Sequence, residues 1–130
     1  MRAHAERVFP EECVGALLSD GLTVLPLENA APNRRSGFLV SARDGLAVER
    51  AADARGLEVL GYYHSHPDGP AQPSVSDVAN ATPGRWLFIV RVVSGVAETP
   101  RAFRLDGGAC PFIPSGDEPL CAQPFRVTGP

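Results

Sequence analysis

Two of the three histidines in this chain, His64 and His66, stand two residues apart at the end of an apolar and aromatic run, and Asp77 follows eleven residues on. On a strand, residues i and i+2 face the same side, so both imidazoles can meet one ion. The intervening stretch carries Pro67, Pro70 and Pro73 and turns the chain back. Ser74 then opens a short helical pattern that sets Asp77 in its first turn, where a carboxylate can supply a third ligand. Two histidines and one carboxylate leave zinc a fourth position for water, which a catalytic site requires and a closed structural site lacks. A bare His-x-His is equally consistent with two polar residues at a strand end. The acid at 77, the serine three residues before it and the stiffening prolines favour the metal reading. Ser74 itself has two roles open to it: a helix N-cap, worth about 1 kcal/mol, or a hydrogen-bond donor to a developing oxyanion.

Other metal motifs fail. There is no HExxH helix and no deaminase HxE with PCxxC. His64-Ser65-His66-Pro67-Asp68 begins like the HxHxDH of metallo-β-lactamases, but Gly69 stands where the last histidine belongs. Asp68 is therefore the one competing ligand, and its place before Gly69-Pro70 suits a turn residue better. The run His64-Ser65-His66-Pro67, six residues, then Ser74-x-x-Asp77 resembles the JAMM signature of the MPN+ metalloproteases and matches it at every fixed position. Gly61-Tyr62-Tyr63 before the histidines is similar to that family too, as is Pro10-Glu11-Glu12-Cys13-Val14-Gly15. The resemblance implies that Glu12, in a Glu-x-x-Gly frame, is the general base of a zinc-activated water, with Glu11 as the second choice. If Cys13 opens a buried strand, Glu12 sits at its entrance and Glu11 points the other way.

The resemblance further implies a single MPN-like (cytidine-deaminase-like) three-layer α/β domain over residues 1–106, with 107–130 a Pro/Gly-rich extension of it. It implies one zinc ion held by His64, His66 and Asp77, with Glu12 and Ser74 catalytic. The implied reaction is hydrolysis of a peptide or isopeptide bond after the C-terminal Gly-Gly of a ubiquitin-like sulfur-carrier protein. Rival readings are a non-catalytic MPN scaffold, which would show Asp77 or His66 turned away from the shared point, and a zinc amidohydrolase of a small amide.

Elements able to position these groups are legible in outline. Residues 2–8 suit a short helix stopped by Pro10. Cys13 to Leu18 reads as a buried strand, with Leu22 to Glu28 as its hairpin partner. Gly37 to Ser41 reads as a third short strand. Asp44 to Arg55 suits a helix capped by Asp44 and ended by Gly56. Strands are expected at Leu57 to His64, Trp86 to Val93 and Arg101 to Leu105, with a helix from Ser74 to Ala81. Trp86 reads as core and His4 as a surface residue.

Composition bounds the rest. At 130 residues the chain suits one core, and 44% apolar against 21% charged residues describes a folded, water-soluble domain. A net charge of −3 with scattered cations gives no basic footprint for nucleic acid. No run approaches a membrane span or a secretory leader, so a cytoplasmic location is expected. Three cysteines, Cys13, Cys110 and Cys121, lack CxxC spacing. Reduced thiols are expected, although Cys110 and Cys121 could pair.

Overall fold

Val14 to Leu18 is buried along its whole length, which a strand allows only when both of its faces are covered. It lies inside a mixed sheet of seven strands among the described residues. The computed structural model describes residues 1–82 and 84–104 and the strand Leu120–Cys121. In chain order the elements are α1 (Arg2–Val8), β1 (Val14–Leu18), β2 (Val24–Leu27), α2 (Ala42–Ala54) and β3 (Val59–Pro67). They are followed by α3 (Val75–Asn80), β4 (Trp86–Val93), β5 (Val96–Ala97), β6 (Arg101–Phe103) and β7 (Leu120–Cys121). The sheet runs β2-β1-β3-β4-β6-β7, with β5 pairing β4. β3 and β4 are parallel, joined by the crossover that carries α3.

Alternation along the strands sorts side chains into two layers. On one face Leu17, Tyr63, Phe88, Val90 and Val92 pack with Ala5 of α1. On the other, Ala16, Leu18 and Val59 pack with Val48 and Ala52 of α2. Helices therefore cover both faces of the sheet, the three-layer α/β architecture expected. His64 and His66 follow Tyr62 in parity and face the α2 and α3 side. Among the described residues no helix is long and apolar enough to cross a membrane.

Two glycines let this sheet close around the site. A Cβ at Gly15 would run into the Tyr63 ring, and one at Gly61 would strike the backbone of Trp86. Gly15 is the last residue of the Glu12-x-x-Gly frame. That frame thus has a packing cause: three residues beyond Glu12, β1 must pass beneath an aromatic ring.

Some expectations are corrected. Residues 37–41 do not form a strand. Their backbone meets Ala30 through one bond, Ala30 N–H to Leu39 C=O at 2.9 Å, while the Leu39 N–H goes to the Asn29 side chain at 3.1 Å, so no ladder propagates. The N-cap of α2 is Ser41, whose Oγ accepts the Asp44 N–H at 3.1 Å. β3 begins at Val59 and continues through Pro67, so both histidines lie within the strand. His4 is buried, because α1 presses it edge-on to Tyr63, whose hydroxyl lies 2.7 Å from its Nδ1. Burial holds its pKa down at about 4, with the Arg7 charge adding to the effect. Trp86 is half-buried against the core. A Cys110–Cys121 pairing and the expected extension from 107 lie outside the described residues, apart from the strand Leu120–Cys121.

Candidate metal centre

The Nε2 atoms of His64 and His66 lie 2.9 Å apart, and Asp77 Oδ2 lies 3.2 Å from the first and 3.1 Å from the second. Three electron-pair donors so close together in a buried place repel unless a proton or a cation lies among them. Ligands about 2.0–2.1 Å from a tetrahedral ion stand about 3.3–3.4 Å from one another. The observed triangle is close to that size, so the donor set fits a small cation. Glu12 also belongs to a group that could hold a metal, since one carboxylate oxygen and the two ring nitrogens lie within 4.8 Å of one another. The carboxylate of Asp77 is the nearer one.

Each group is oriented by a different device. His66 Nδ1 lies 2.8 Å from the Pro70 carbonyl, which calls for an N–H at Nδ1 and leaves Nε2 with its lone pair toward the shared point. His64 is fully buried, and its Nδ1 has no partner among the described residues. Packing holds it instead: Phe38 stacks on the ring at 4.3 Å and 26°. Asp77 is fixed by a capping box, in which Ser74 Oγ accepts the Asp77 N–H at 3.0 Å and Asp77 Oδ2 accepts the Ser74 N–H at 2.9 Å.

Ser65, between the two histidines, points to the opposite face and ties β3 to the start of β1. Its Oγ accepts the Cys13 N–H at 2.8 Å, and its own N–H donates to the Cys13 carbonyl at 3.2 Å. Val14 pairs with His64, so Glu12 falls on the histidine side of the sheet and Glu11 on the other.

Electrostatics separates the two acids. Burial pushes Glu12 up to about 7, with the His66 charge opposing and the Asp77 charge adding. Burial also pushes Asp77 up, but its contacts with both imidazoles and the Ser74 N–H outweigh it and hold the carboxyl well below the usual range. Burial disfavours charge on both rings. It prevails at His64, whereas at His66 the Asp77 carboxylate and the Pro70 carbonyl win and raise the pKa. One acid is thus kept ionised and the other poised near neutrality, the separation that acid–base chemistry uses.

Of the residues that the sequence singles out, the structure brings His64, His66 and Asp77 to one point, sets Glu12 near the two rings and puts Ser74 at the cap of the helix that carries Asp77. Asp68 stands apart: it adopts φ of 52° and its Oδ1 accepts the Ser94 N–H at 2.9 Å, a turn role. Asn29 is a residue that sequence reasoning misses. It is buried, donating to the Glu12 and Gly37 carbonyls at 3.0 and 2.9 Å and accepting from Ala31 and Leu39 N–H at 3.0 and 3.1 Å. With the Glu12 N–H bonded to the Arg34 carbonyl at 2.7 Å, the loop from 29 to 40 grips Glu12 by its backbone at both ends. No motif marks this asparagine; its position between two turn-rich stretches reads as ordinary loop sequence. Asn29→Ala should cost about 2–4 kcal/mol in urea unfolding, since it strands several buried groups at once. A loss below about 0.5 kcal/mol would show that water replaces the side chain.

The fold and this constellation define a JAB-type domain. The model for prokaryotic homologs of the JAB domain matches residues 1–106, and the chain belongs to that family. A "Probable TtuB-protein conjugate cleaving protease" of Thermus thermophilus is 37% identical over 111 residues, 82% of this chain and 70% of the relative. A "Desampylase" of Haloferax volcanii is 28% identical over 86 residues, covering 62% of each protein. Among solved structures, a Salinibacter ruber protein superimposes with a TM-score of 0.58 at 32% identity, over 96% of this chain and 92% of that one. A Desulfitobacterium hafniense protein of the same fold gives 0.68 at 23% identity, over 98% and 88%.

Proposed function

We propose that this chain is a zinc-dependent isopeptidase that hydrolyses the bond after the C-terminal Gly-Gly of a ubiquitin-like sulfur-carrier protein. The single observation that carries the reading is the convergence of His64 Nε2, His66 Nε2 and Asp77 Oδ2 within 3.2 Å, with Glu12 beside the two rings. The printed names of the Thermus and Haloferax relatives, a conjugate-cleaving protease and a desampylase, support the same substrate class. A non-catalytic scaffold would be expected to turn one of these side chains away.

His64, His66 and Asp77 are the zinc ligands in this reading, since neutral imidazole and carboxylate suit that ion. A zinc ion held there would supply Lewis acidity and make water at the site a better acid, with a pKa toward about 7. Glu12 takes a proton from the attacking water and returns it to the leaving nitrogen. In the metal-free chain burial raises its pKa to about 7, which favours taking up a proton. Ser74 Oγ already accepts the Asp77 N–H, so its own proton can go to the oxygen of the scissile carbonyl. The N-cap and the oxyanion donor are then compatible roles of one hydroxyl.

A cavity of about 320 Å³ adjoins Asp77, walled by Phe38, Leu39, Val40, Tyr62 and Trp86 among others. Its aromatic walls and modest size suit a tail without side chains, so the Gly-Gly arm belongs here. Residues 1–106 form the metalloprotease domain in this reading and 107–130 a C-terminal extension of the same domain, whose strand β7 pairs β6, and the protein acts in the cytoplasm.

Intact-mass analysis of a Gly-Gly carrier joined to a lysine peptide tests the reading. Cleavage after Gly-Gly should vanish on chelation and return with zinc. Cleavage that survives chelation, or stoichiometric zinc without cleavage of any Gly-Gly conjugate, would overturn it.

A further inference from the structure

A second cleft, of about 710 Å³, lies beside the ligand loop and is lined by Asp68 to Gln72 together with Arg91, Glu98 and Arg101. Its place relative to the metal centre follows from strand register. Directly paired residues share a sheet face, and His64 pairs with Ile89, which pairs with Arg101. His66 pairs with Arg91 in the next row. Tyr62 and Leu87, in the row before His64, wall the first cavity. The two hollows therefore occupy one face of the sheet, and the histidines separate them along the strands.

The charges in this cleft do not all have partners. Asp68 accepts the Ser94 N–H, and Arg91 donates to the Gly69 carbonyl at 3.1 Å and pairs with Glu98 at 3.4 Å. Arg101 has its guanidinium over the Phe103 ring at 5.7 Å, and its buried Nε has no hydrogen-bond partner among the described residues. A buried donor on a permanent cation is costly unless an acceptor arrives. Arginine's fork matches a carboxylate.

We propose that this cleft binds a carboxylate on the leaving side of the substrate, with Arg101 as its principal donor. The inference rests on the isopeptidase reading for its direction, since the first cavity then holds the Gly-Gly arm. Two strand spacings put the Arg101 backbone about 10 Å from that of His64. An extended chain covers this in about three residues. The carboxylate therefore belongs to an acidic side chain two or three residues from the scissile amide, near the modified lysine. A C-terminal carboxylate reaches the cleft only on a short extension.

Binding is tested first, on the zinc-loaded full chain, by calorimetry with four lysine peptides. They are acidic or neutral in side chain, each with a free or amidated C-terminus. The acidic amidated peptide should bind about tenfold tighter than the neutral amidated one, a preference erased in Arg101→Gln and weakened by salt in the wild type. Equal binding overturns the proposal, and tighter binding that follows only the free terminus overturns the side-chain assignment. The same peptides are then joined to the Gly-Gly carrier, and the acidic-to-neutral ratio of kcat/KM should fall from about ten toward one in Arg101→Gln. Discrimination without cleavage leaves the cleft standing and sinks the isopeptidase reading. Cleavage without discrimination does the reverse. Preference for acid upstream of Gly-Gly instead overturns the leaving-side placement. If Arg101→Gln does not fold, Arg101→Lys and the wild-type salt dependence decide the matter.

Discussion

Glu12→Gln should lower kcat for Gly-Gly conjugate cleavage by about 10²–10⁴-fold, the usual weight of a general acid–base group, with zinc content unchanged. The same substitution should make the chelated protein more stable. Burial raises the Glu12 pKa from 4.5 to about 7 in the folded chain. Between those values the folded state holds a proton that the unfolded state has released, so stability falls as pH rises through this window. Glutamine has no proton to lose. Chelated Glu12→Gln should therefore exceed the wild type by roughly 2–3 kcal/mol at pH 8, shrinking to under about 1 kcal/mol near pH 5. Urea melts at the two pH values measure this directly. Equal stability at pH 8 would mean that water reaches the carboxylate and that its pKa is ordinary. Lost activity together with gained stability would mark Glu12 as a group held in an unfavourable place for its chemistry. A merely structural carboxylate would lose both.

The parity argument that favours Glu12 over Glu11 illustrates what sequence can carry. It needs only a buried strand at Cys13 and the two-residue period of a strand, both set by local composition. The same rule places both imidazoles on one face, and helix-start chemistry places Asp77. The features that escape it share a different origin. Asn29 acts through contacts with residues 12, 37 and 39, and Phe38 acts by stacking on a ring 26 positions away in the chain. Neither leaves a periodic trace. His4 reads as a surface residue because it lies outside the motif, yet α1 brings it inward to the Tyr63 hydroxyl. Residues 37–41 have the apolar content of a strand, but a side-chain amide takes the bond that would have started a ladder. Local periodicity thus fixes which face a residue occupies, while the loops that grip the site are set by long-range hydrogen bonds.

Asp77 allows the metal role to be separated from the structural one. Its Oδ2 faces both imidazoles and also accepts the Ser74 N–H, so one atom serves the ligand triangle and the helix cap. An asparagine in its place would retain an oxygen for the cap but would lose the charge that a dication requires. Asp77→Asn should weaken zinc binding by more than about 100-fold, beyond the range typical of outer-shell changes, and abolish cleavage. In the chelated form it should also lose stability at neutral pH, because the contacts with both imidazoles and the Ser74 N–H that hold the Asp77 carboxyl below the usual range stabilise the folded state. Asp77→Ala should lose zinc to the same extent and lose about 1 kcal/mol more stability than Asp77→Asn, because the N-terminal capping box of α3 is broken. Competition with a chelator of known affinity gives the first quantity, and urea melts give the second. If Asp77→Asn kept zinc at wild-type affinity, the ion would have to be held by Glu12 with the two histidines, the other donor group that the fold brings together. Glu12 would then be a ligand and unable to serve as the base. The two acids compete for one role, and this pair of variants decides between them.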